Sequence, residues 1–261
     1  MTPGTAGHDT VLGAIGVRTV LAIPAYNEEE ALPPLLARAA AVAAFDGVLI
    51  VDDGSADDTA GAASRFAGPP PVTLLRHGRN RGLGAALRTA LAHLAASDLA
   101  DDDVVVTMDG DNTHDPALTP SMCAAVAAGS DVVVASRYAP GGREFGLSWH
   151  RRLLSRGAST LLQQLRPVPG VRDYSCGYRA YRLGILRRAL ARYGVEGLIV
   201  TDGFACMAEL LLRLHTLGAR CTEVPMELHY ERKGGPSKMR VARTVGGYLR
   251  LLRAVPGPRI G

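Results

Sequence analysis

Aromatic residues are scarce in this sequence, which has one tryptophan and only 5% Phe, Trp and Tyr together. No recognised nucleic-acid-binding motif is present either, so nucleic acid is not an expected partner. No apolar run approaches the roughly 18 residues that a membrane-spanning helix needs, and the N-terminus lacks the features of a signal peptide. We therefore expect a cytoplasmic protein that is soluble or at most peripheral on the inner face of the cell membrane.

Cysteine is also sparse, and none of the four cysteines falls in a C-x-x-C pair. That spacing argues against a zinc knuckle and against a thioredoxin-like redox site. We interpret Cys123, Cys176, Cys206 and Cys221 as scattered buried thiols in a reducing compartment.

The composition is otherwise that of an ordinary globular protein, with 47% hydrophobic and 21% charged residues in a chain of 261. This length supports one large domain with a sizeable core. The net charge of +4 favours an anionic ligand or an anionic membrane surface, without distinguishing them. We expect a flexible segment at 1–18, one domain over 19–240 and a basic amphipathic tail at 241–261. For that tail, a membrane-surface helix and a plain surface helix are equally compatible with the pattern.

Short β-branched runs alternate with helical segments along the first half of the chain, which predicts an α/β fold with a mostly parallel sheet and helices on both faces. The predicted strands are 19–23, 47–51, 72–75, 104–108 and 131–135, and the predicted helices between and after them are 29–44, 57–66, 85–95 and 116–128. Beyond them we expect a basic loop over 137–156, helices near 155–165, 184–192 and 203–216, a strand near 221–230 and a second basic loop over 231–240.

The segment Asp109-Gly110-Asp111 directly follows the predicted strand 104–108. Open α/β sheets bind their ligands at the carboxyl ends of the strands. Alternation along an extended chain places Asp109 and Asp111 on the same side. The two carboxylates can therefore converge on one hard cation, Mg²⁺ or Mn²⁺, although an Asp-Gly turn on the surface has the same local pattern.

Two more polar clusters follow predicted strands, Pro24-Ala25-Tyr26-Asn27-Glu28 and Asp52-Asp53-Gly54-Ser55. Each taken alone is compatible with a capped turn. In a parallel sheet, however, these strand ends line up along one edge with Asp109 and Asp111. Together they predict a site for a nucleoside diphosphate bridged by a metal.

The chain resembles the family-2 glycosyltransferases with the GT-A fold, and within them the polyprenyl-phosphate (dolichol-phosphate) mannosyltransferase branch. The resemblance covers about residues 19–240, and it rests on an ordered set of segments rather than on any single one. These are IPAYNE (23–28), VDDGS (51–55), NRGLG (80–84), MDGD (108–111), SRYAPGG (136–142), RRLLSRGA (151–158), CGYRAY (176–181) and GPSKM (235–239).

The resemblance implies that Asp109 and Asp111 orient a metal that clamps the donor pyrophosphate and assists its departure. It also implies a nucleoside pocket, in which carboxylates suit the base N–H and ribose hydroxyl donors. The residues implied to line that pocket are Pro24, Tyr26, Glu28 and Asp53.

Arg137 and Arg151 are implied to clamp the acceptor phosphate, because a guanidinium holds phosphate oxygens in two places and stays charged. Arg232, Ser237 and Lys238, on the second basic loop, are expected to close over the donor pyrophosphate as a lid. For each of these basic residues, a solvated surface charge is the simpler alternative.

Three features depart from the branch or lie outside its core motifs. Thr113 stands where the branch usually has a glutamine that helps the metal, and its shorter side chain puts direct ligation in doubt. His114 fits a turn better than a metal ligand. Glu209 matches a helical glutamate of the family, for which we expect a structural role.

These observations predict a metal-dependent inverting glycosyltransferase that moves mannose from GDP-mannose onto a polyprenyl phosphate. Alternatives within enzymes are a UDP-sugar donor, such as UDP-glucose or UDP-N-acetylglucosamine, or a soluble acceptor. A protein that binds sugar nucleotides without catalysis is the alternative from another class.

Overall fold

Seven strands form the central sheet of the computed structural model, which describes residues 16–146, 148–201, 203, 205–233, 246–247 and 250–251. The strand order is β3-β2-β1-β4-β7-β5-β8, and a separate two-stranded sheet pairs β6 with β9. The strands are β1 (Thr19–Ala25), β2 (Gly47–Asp52), β3 (Val72–Arg76), β4 (Val104–Thr107), β5 (Val132–Ser136), β6 (Arg143–Phe145), β7 (Arg179–Arg182), β8 (Cys221–Pro225) and β9 (Glu227–His229).

Seven α-helices and two 3₁₀ turns connect these strands within the described residues. The helices are α1 (Leu32–Val42), α2 (Thr59–Ser64), α3 (Leu83–Ala95), α4 (Thr119–Ala127), α5 (Trp149–Leu165), α6 (Leu183–Leu198) and α7 (Ala205–Thr216), and the 3₁₀ turns are Pro116–Leu118 and Tyr230–Arg232. Prolines lie in the first turn of α1, where a missing N–H costs no helical hydrogen bond.

The order of the first four strands decides where a ligand can bind. Parallel pairing joins β1 to β2, β2 to β3 and β1 to β4. The chain therefore moves outward from β1 to β3 and then crosses back to β4 on the other side of β1. Because such crossovers are right-handed, α3 covers the opposite sheet face from α1 and α2. The reversal point lies between β1 and β4, and ligands of open α/β sheets bind in the crevice there.

The predicted α/β class is confirmed, and the burial of the central strands agrees with it. The side chains of β4 and β5 are buried throughout, as expected for strands covered on both faces. The exception to the parallel arrangement is β7, which pairs antiparallel with both β4 and β5. The sequence analysis missed this strand, because Arg179–Arg182 is only four residues long and carries two arginines.

The prediction of a continuous loop over 137–156 is wrong. That segment contains β6, which pairs in parallel with β9, and α5 begins within it at Trp149. Its glycines and arginines suggested a loop, whereas Arg151, Arg152 and Arg156 lie on the helix α5 and Arg143 lies in β6. The predicted strand at 221–230 is instead two strands, β8 and β9. Within the part of the chain that the structure describes, no helix is long and apolar enough to cross a membrane.

Candidate active site

The three predicted polar clusters meet at the reversal point of the sheet. The backbone N–H of Asp53 donates to the carbonyl of Ala25 at 2.8 Å, and the N–H of Asn27 donates to the Ser55 hydroxyl at 2.9 Å. A Cβ atom on Gly110 would lie 3.4 Å from the carbonyl oxygen of Pro24. The turns after β1, β2 and β4 are therefore packed against one another, as the strand-end argument predicted.

Asp109 and Asp111 project from the end of β4, and both are half-buried. Desolvation by the surrounding chain raises the pKa of Asp109, and the neighbouring Asp111 carboxylate raises it further. Desolvation also acts on Asp111, but Lys233, His114 and the Thr113 hydroxyl together outweigh it and hold the pKa of Asp111 below its usual value. The two carboxylates thus differ in how readily they give up a proton, and a cation between them would favour the ionised form of both.

Thr113 contacts one of these carboxylates directly. Its hydroxyl donates to Oδ1 of Asp111 at 2.7 Å, and its backbone N–H points to the same oxygen at 3.3 Å. The side chain that replaces the family's glutamine therefore orients Asp111. His114 is buried against the Tyr178 ring, with 5.5 Å between ring centroids, which fits its expected role in the turn.

Arg38, on α1, holds the turn that follows Asp111. Its Nη2 atom donates to the carbonyl of Asn112 at 3.2 Å, to the side-chain oxygen of Asn112 at 2.6 Å and to the carbonyl of His114 at 2.7 Å. Asn112 has a φ of 63°, a left-handed conformation that asparagine tolerates better than most residues. Helix α1 thereby fixes a strained turn beside the acidic pair.

Asp53 is buried, and hydrogen bonds from the chain fill most of its acceptor capacity. His77 Nδ1 lies 2.6 Å from Oδ1, and the backbone N–H groups of Arg81 and Gly82 donate to the carboxylate at 3.0 and 2.7 Å. His77 Nε2 in turn lies 2.9 Å from the Thr89 hydroxyl on α3. Asp53 therefore fixes the 77–82 loop, and its predicted contact with the nucleoside stays a prediction.

The other predicted nucleoside residues lie at the same edge of the sheet. Pro24 is buried in β1, whereas Tyr26 and Glu28 are half-buried in the turn that follows. The backbone N–H of Glu28 donates to the Thr59 hydroxyl at 2.8 Å, which ties this turn to α2. The predicted pocket-lining residues are thus brought together, and their contact with a nucleoside stays a prediction.

Arg137 lies at the end of β5 in a cluster of polar side chains. Its Nε and Nη2 atoms hold the two oxygens of the buried Asp173 at 2.7 and 2.8 Å, as a bidentate pair. Nη2 also donates to the Ser175 hydroxyl at 2.7 Å, and Nη1 lies 3.5 Å from Glu144. Arg151 lies in α5, and its side chain is outside the described residues. The predicted acceptor clamp stays a prediction.

The second basic loop is described as far as Lys233. Arg232 lies 3.6 Å from Asp115, while the Lys233 ammonium lies 2.5 Å from Oδ2 of Asp111. Ser237 and Lys238 lie outside the described residues, so their predicted role as a lid stays a prediction. Sequence reasoning missed Lys233, although its place beside Arg232 in the basic loop was a usable signal.

Glu209 is fully buried in α7, and both of its oxygens are occupied. Oε2 accepts from the backbone N–H groups of Val200 and Thr201 at 2.9 and 2.8 Å, and Oε1 accepts from Arg213 at 2.8 Å. This agrees with the structural role expected for Glu209. The loop that it holds packs against α3, where a Cβ atom on Gly84 would lie 2.6 Å from the carbonyl oxygen of Thr201.

The donor set fits a divalent cation that arrives with a nucleotide. Among the described residues, no group of three or more His, Cys, Asp or Glu side chains is arranged to hold a metal. Mg²⁺ is usually held by one or two carboxylates together with substrate phosphates and water. Asp109 and Asp111 are such a pair, and a pyrophosphate would supply the remaining ligands.

Comparison with known proteins agrees with this geometry. Residues 20–190 match the family described as Glycosyl transferase family 2. Polyprenol monophosphomannose synthase of Mycolicibacterium smegmatis is 35% identical over 239 residues, which cover 90% of this chain and 85% of that protein. Undecaprenyl-phosphate mannosyltransferase of Micrococcus luteus is 34% identical over 224 residues, which cover 85% of this chain and 88% of that protein.

A solved structure shares the fold. Glucosyl-3-phosphoglycerate synthase from Mycobacterium tuberculosis, crystallised with Mn²⁺, uridine diphosphate and phosphoglyceric acid, aligns with a TM-score of 0.67 at 20% identity. The alignment covers 100% of this chain and 86% of that chain. The predicted GT-A fold is confirmed.

Proposed function

The chain belongs to glycosyltransferase family 2 and is a glycosyltransferase, and we propose that it transfers mannose from GDP-mannose to a polyprenyl phosphate. The observation that carries this proposal is the acidic pair Asp109 and Asp111 at the reversal point of the sheet. Two relatives named as polyprenol-phosphate mannose enzymes, matched over most of the chain, support the sugar and the acceptor. Residues 19–240 form the catalytic domain in this proposal.

Asp109 and Asp111 would hold Mg²⁺ or Mn²⁺ together with the donor pyrophosphate. When bound, the cation neutralises the charge that develops on the departing nucleoside diphosphate. Thr113 and Arg38 keep Asp111 and its turn in place, which fixes the direction of the acidic pair. Pro24, Tyr26, Glu28 and Asp53 form the nucleoside pocket, and Asp53 also orders the 77–82 loop beneath it. Arg232, Ser237 and Lys238 cover the donor pyrophosphate.

Arg137 and Arg151 position the acceptor phosphate. A phosphate monoester has a second pKa of about 6, so at neutral pH it is already a dianionic nucleophile. Positioning and charge neutralisation then replace a strong general base. Attack by the phosphate oxygen on the anomeric carbon, opposite the leaving diphosphate, inverts the configuration.

The surface of α5 supports peripheral contact with the inner face of the cell membrane. Trp149 is 76% exposed and Leu153 is 65% exposed, and they are four residues apart on one side of the helix. Leu161 and Leu165, 49% and 43% exposed, lie further along α5, turned by roughly 120° and 160° about the helix axis from Trp149. Exposed apolar rows flanked by arginines, such as Arg156, are typical of helices that lie on a membrane. The predicted 241–261 tail lies almost entirely outside the described residues.

A donor panel tests the proposal. The purified full chain is given a short polyprenyl phosphate in detergent with GDP-mannose, UDP-glucose or UDP-N-acetylglucosamine, each with Mn²⁺ or with EDTA. We expect product from GDP-mannose with Mn²⁺, no product with EDTA, and none from the Asp111→Asn variant. Turnover of a UDP-sugar but not of GDP-mannose would overturn the donor assignment. Equal, negligible turnover by wild type and Asp111→Asn with every donor would favour a protein that binds sugar nucleotides without catalysis.

A further inference from the structure

Among the described residues, Lys233 makes the shortest polar contact to the acidic pair. Its Nζ atom lies 2.5 Å from Oδ2 of Asp111, and the two side chains are only 12% and 13% exposed. The other oxygen of Asp111 accepts the hydroxyl of Thr113 at 2.7 Å. Both oxygens of this carboxylate are therefore engaged by the chain itself.

The charge of Lys233 also reaches the second carboxylate. Its ammonium attracts the Asp109 carboxylate as well as that of Asp111. The neighbouring Arg232 differs, because its nearest carboxylate is that of Asp115, at 3.6 Å. Of these two consecutive cations, only Lys233 forms an ion pair with Asp111.

We propose that Lys233 is the resident counter-ion of the Asp109–Asp111 pair, and that a divalent cation must displace it in order to bind. The inference rests on the proposed function, because it concerns the metal site proposed there. Mg²⁺ binds a carboxylate oxygen at about 2.0–2.1 Å, and an ammonium on the same carboxylate would lie within a few ångströms of the cation. Since like charges repel strongly in a poorly hydrated site, the lysine and the metal compete for Asp111.

Two consequences follow from this competition. In the metal-free protein, Lys233 compensates the charge of two neighbouring carboxylates that would otherwise repel each other. The same lysine weakens the binding of a divalent cation that arrives without a nucleotide. Removing the ammonium while keeping a side chain of similar length therefore strengthens metal binding, a direction opposite to that expected for a lysine that merely supports the fold.

Mn²⁺ titration of the full chain without nucleotide, followed by the electron paramagnetic resonance signal of free hexaaqua Mn²⁺, measures this directly. We expect Lys233→Met to bind Mn²⁺ about tenfold more tightly than wild type. Lys233→Gln, a second neutral replacement, is expected to do the same. Arg232→Met removes an equal charge one residue away, and Lys233→Arg keeps the charge, so both are expected to stay within about twofold of wild type.

Unchanged or weaker Mn²⁺ binding by both neutral Lys233 variants would overturn the inference. So would an equal gain in Arg232→Met, because net charge rather than the Lys233–Asp111 contact would then explain it. Asp111→Asn separates this failure from failure of the proposed function. If wild type binds Mn²⁺ no better than Asp111→Asn, with or without GDP, the metal site itself is wrong, whereas normal wild-type binding with no gain in the variants contradicts only the role of Lys233.

Discussion

Gly177 packs so closely against Asp109 that a Cβ atom on Gly177 would lie 2.6 Å from the carboxylate oxygen Oδ1. Gly177 belongs to the segment that leads into β7, the antiparallel strand beside β4. Its carbonyl accepts the Thr107 hydroxyl at 2.8 Å, which holds the two segments together. The Asp109 carboxylate, one of the proposed metal ligands, can therefore occupy its position only because residue 177 has no side chain.

Gly177→Ala is expected to displace the Asp109 carboxylate, because the hydrogen bond from Thr107 to Gly177 keeps the two segments from moving apart. A misplacement of about 1 Å near the reacting groups can cost about 100-fold in rate, so we expect kcat/KM to fall 10- to 100-fold. Steady-state kinetics with the preferred donor and Mn²⁺ measures it. Gly197→Ala is the control, since a Cβ there meets only Tyr193 at 3.7 Å. Wild-type kinetics in Gly177→Ala would contradict the packing argument.

Asp173→Ala is expected to destabilise the fold by about 3–5 kcal/mol, because it leaves the guanidinium of Arg137 buried without its bidentate partner. The side chains of Arg137 and Asp173 are 10% and 0% exposed. Urea unfolding followed by circular dichroism measures the free energy of unfolding. Asp98→Ala, which removes an exposed partner of Arg18, is the control and should change stability little. A similar, small loss in both variants would mean that the Arg137–Asp173 pair is not a buried structural contact.

The same pair predicts how stability depends on pH. Burial alone would raise the pKa of Asp173, but the Arg137 guanidinium outweighs it and holds that pKa below its usual value. A lowered folded-state pKa contributes stability that is present above the unfolded pKa of about 3.9 and is lost as pH falls through the folded pKa. Between about pH 4 and the folded pKa, wild type should therefore lose more stability than Asp173→Asn. Parallel slopes in urea unfolding across this range would rule out the linkage.

His77→Ala is expected to raise the KM for the nucleotide sugar by about three- to tenfold, with a smaller effect on kcat. The reason is that His77 supports Asp53 and the 77–82 loop beside the nucleoside pocket, away from the reacting groups. Loss of one hydrogen bond to a charged group costs about 1.5–3 kcal/mol, part of which the loop can recover. His77→Gln, which can still donate a hydrogen bond, should restore part of the affinity. A loss confined to kcat would contradict this positioning role.

Trp149→Glu combined with Leu153→Glu is expected to weaken binding to vesicles with anionic lipid by about tenfold or more. Burying each apolar side chain in a membrane contributes about 1.5–3 kcal/mol, and a carboxylate is repelled by an anionic surface. Vesicle sedimentation measures the bound fraction. Val195→Glu, at a 44% exposed apolar position on α6, is the matched control. If all variants sediment with the vesicles to the same extent as wild type, α5 is not the membrane contact.

The strand ends show which parts of the fold and of the site can be predicted from neighbouring residues in the sequence. The runs before Asp52 and Asp109, and the run after Asp131, are apolar and rich in β-branched residues. The positions of these strands, and of the polar residues beside them, could therefore be predicted from adjacent residues alone. Asp109 and Asp111 followed from the same local rule. Strand β7 could not be found this way, because its four residues owe their extended conformation to β4 and β5 on either side of it.

The sequence by itself determined the sheet class, the family and the acidic pair, since each depends on residue type and spacing within a few positions. Only the tertiary structure decided the partners of that pair. Arg38 reaches a turn 74 residues away, and Lys233 reaches Asp111 across 122 residues. Such contacts depend on how separate elements pack, because an arginine on a helix or a lysine on a loop has the same neighbours in sequence whether it faces water or a carboxylate.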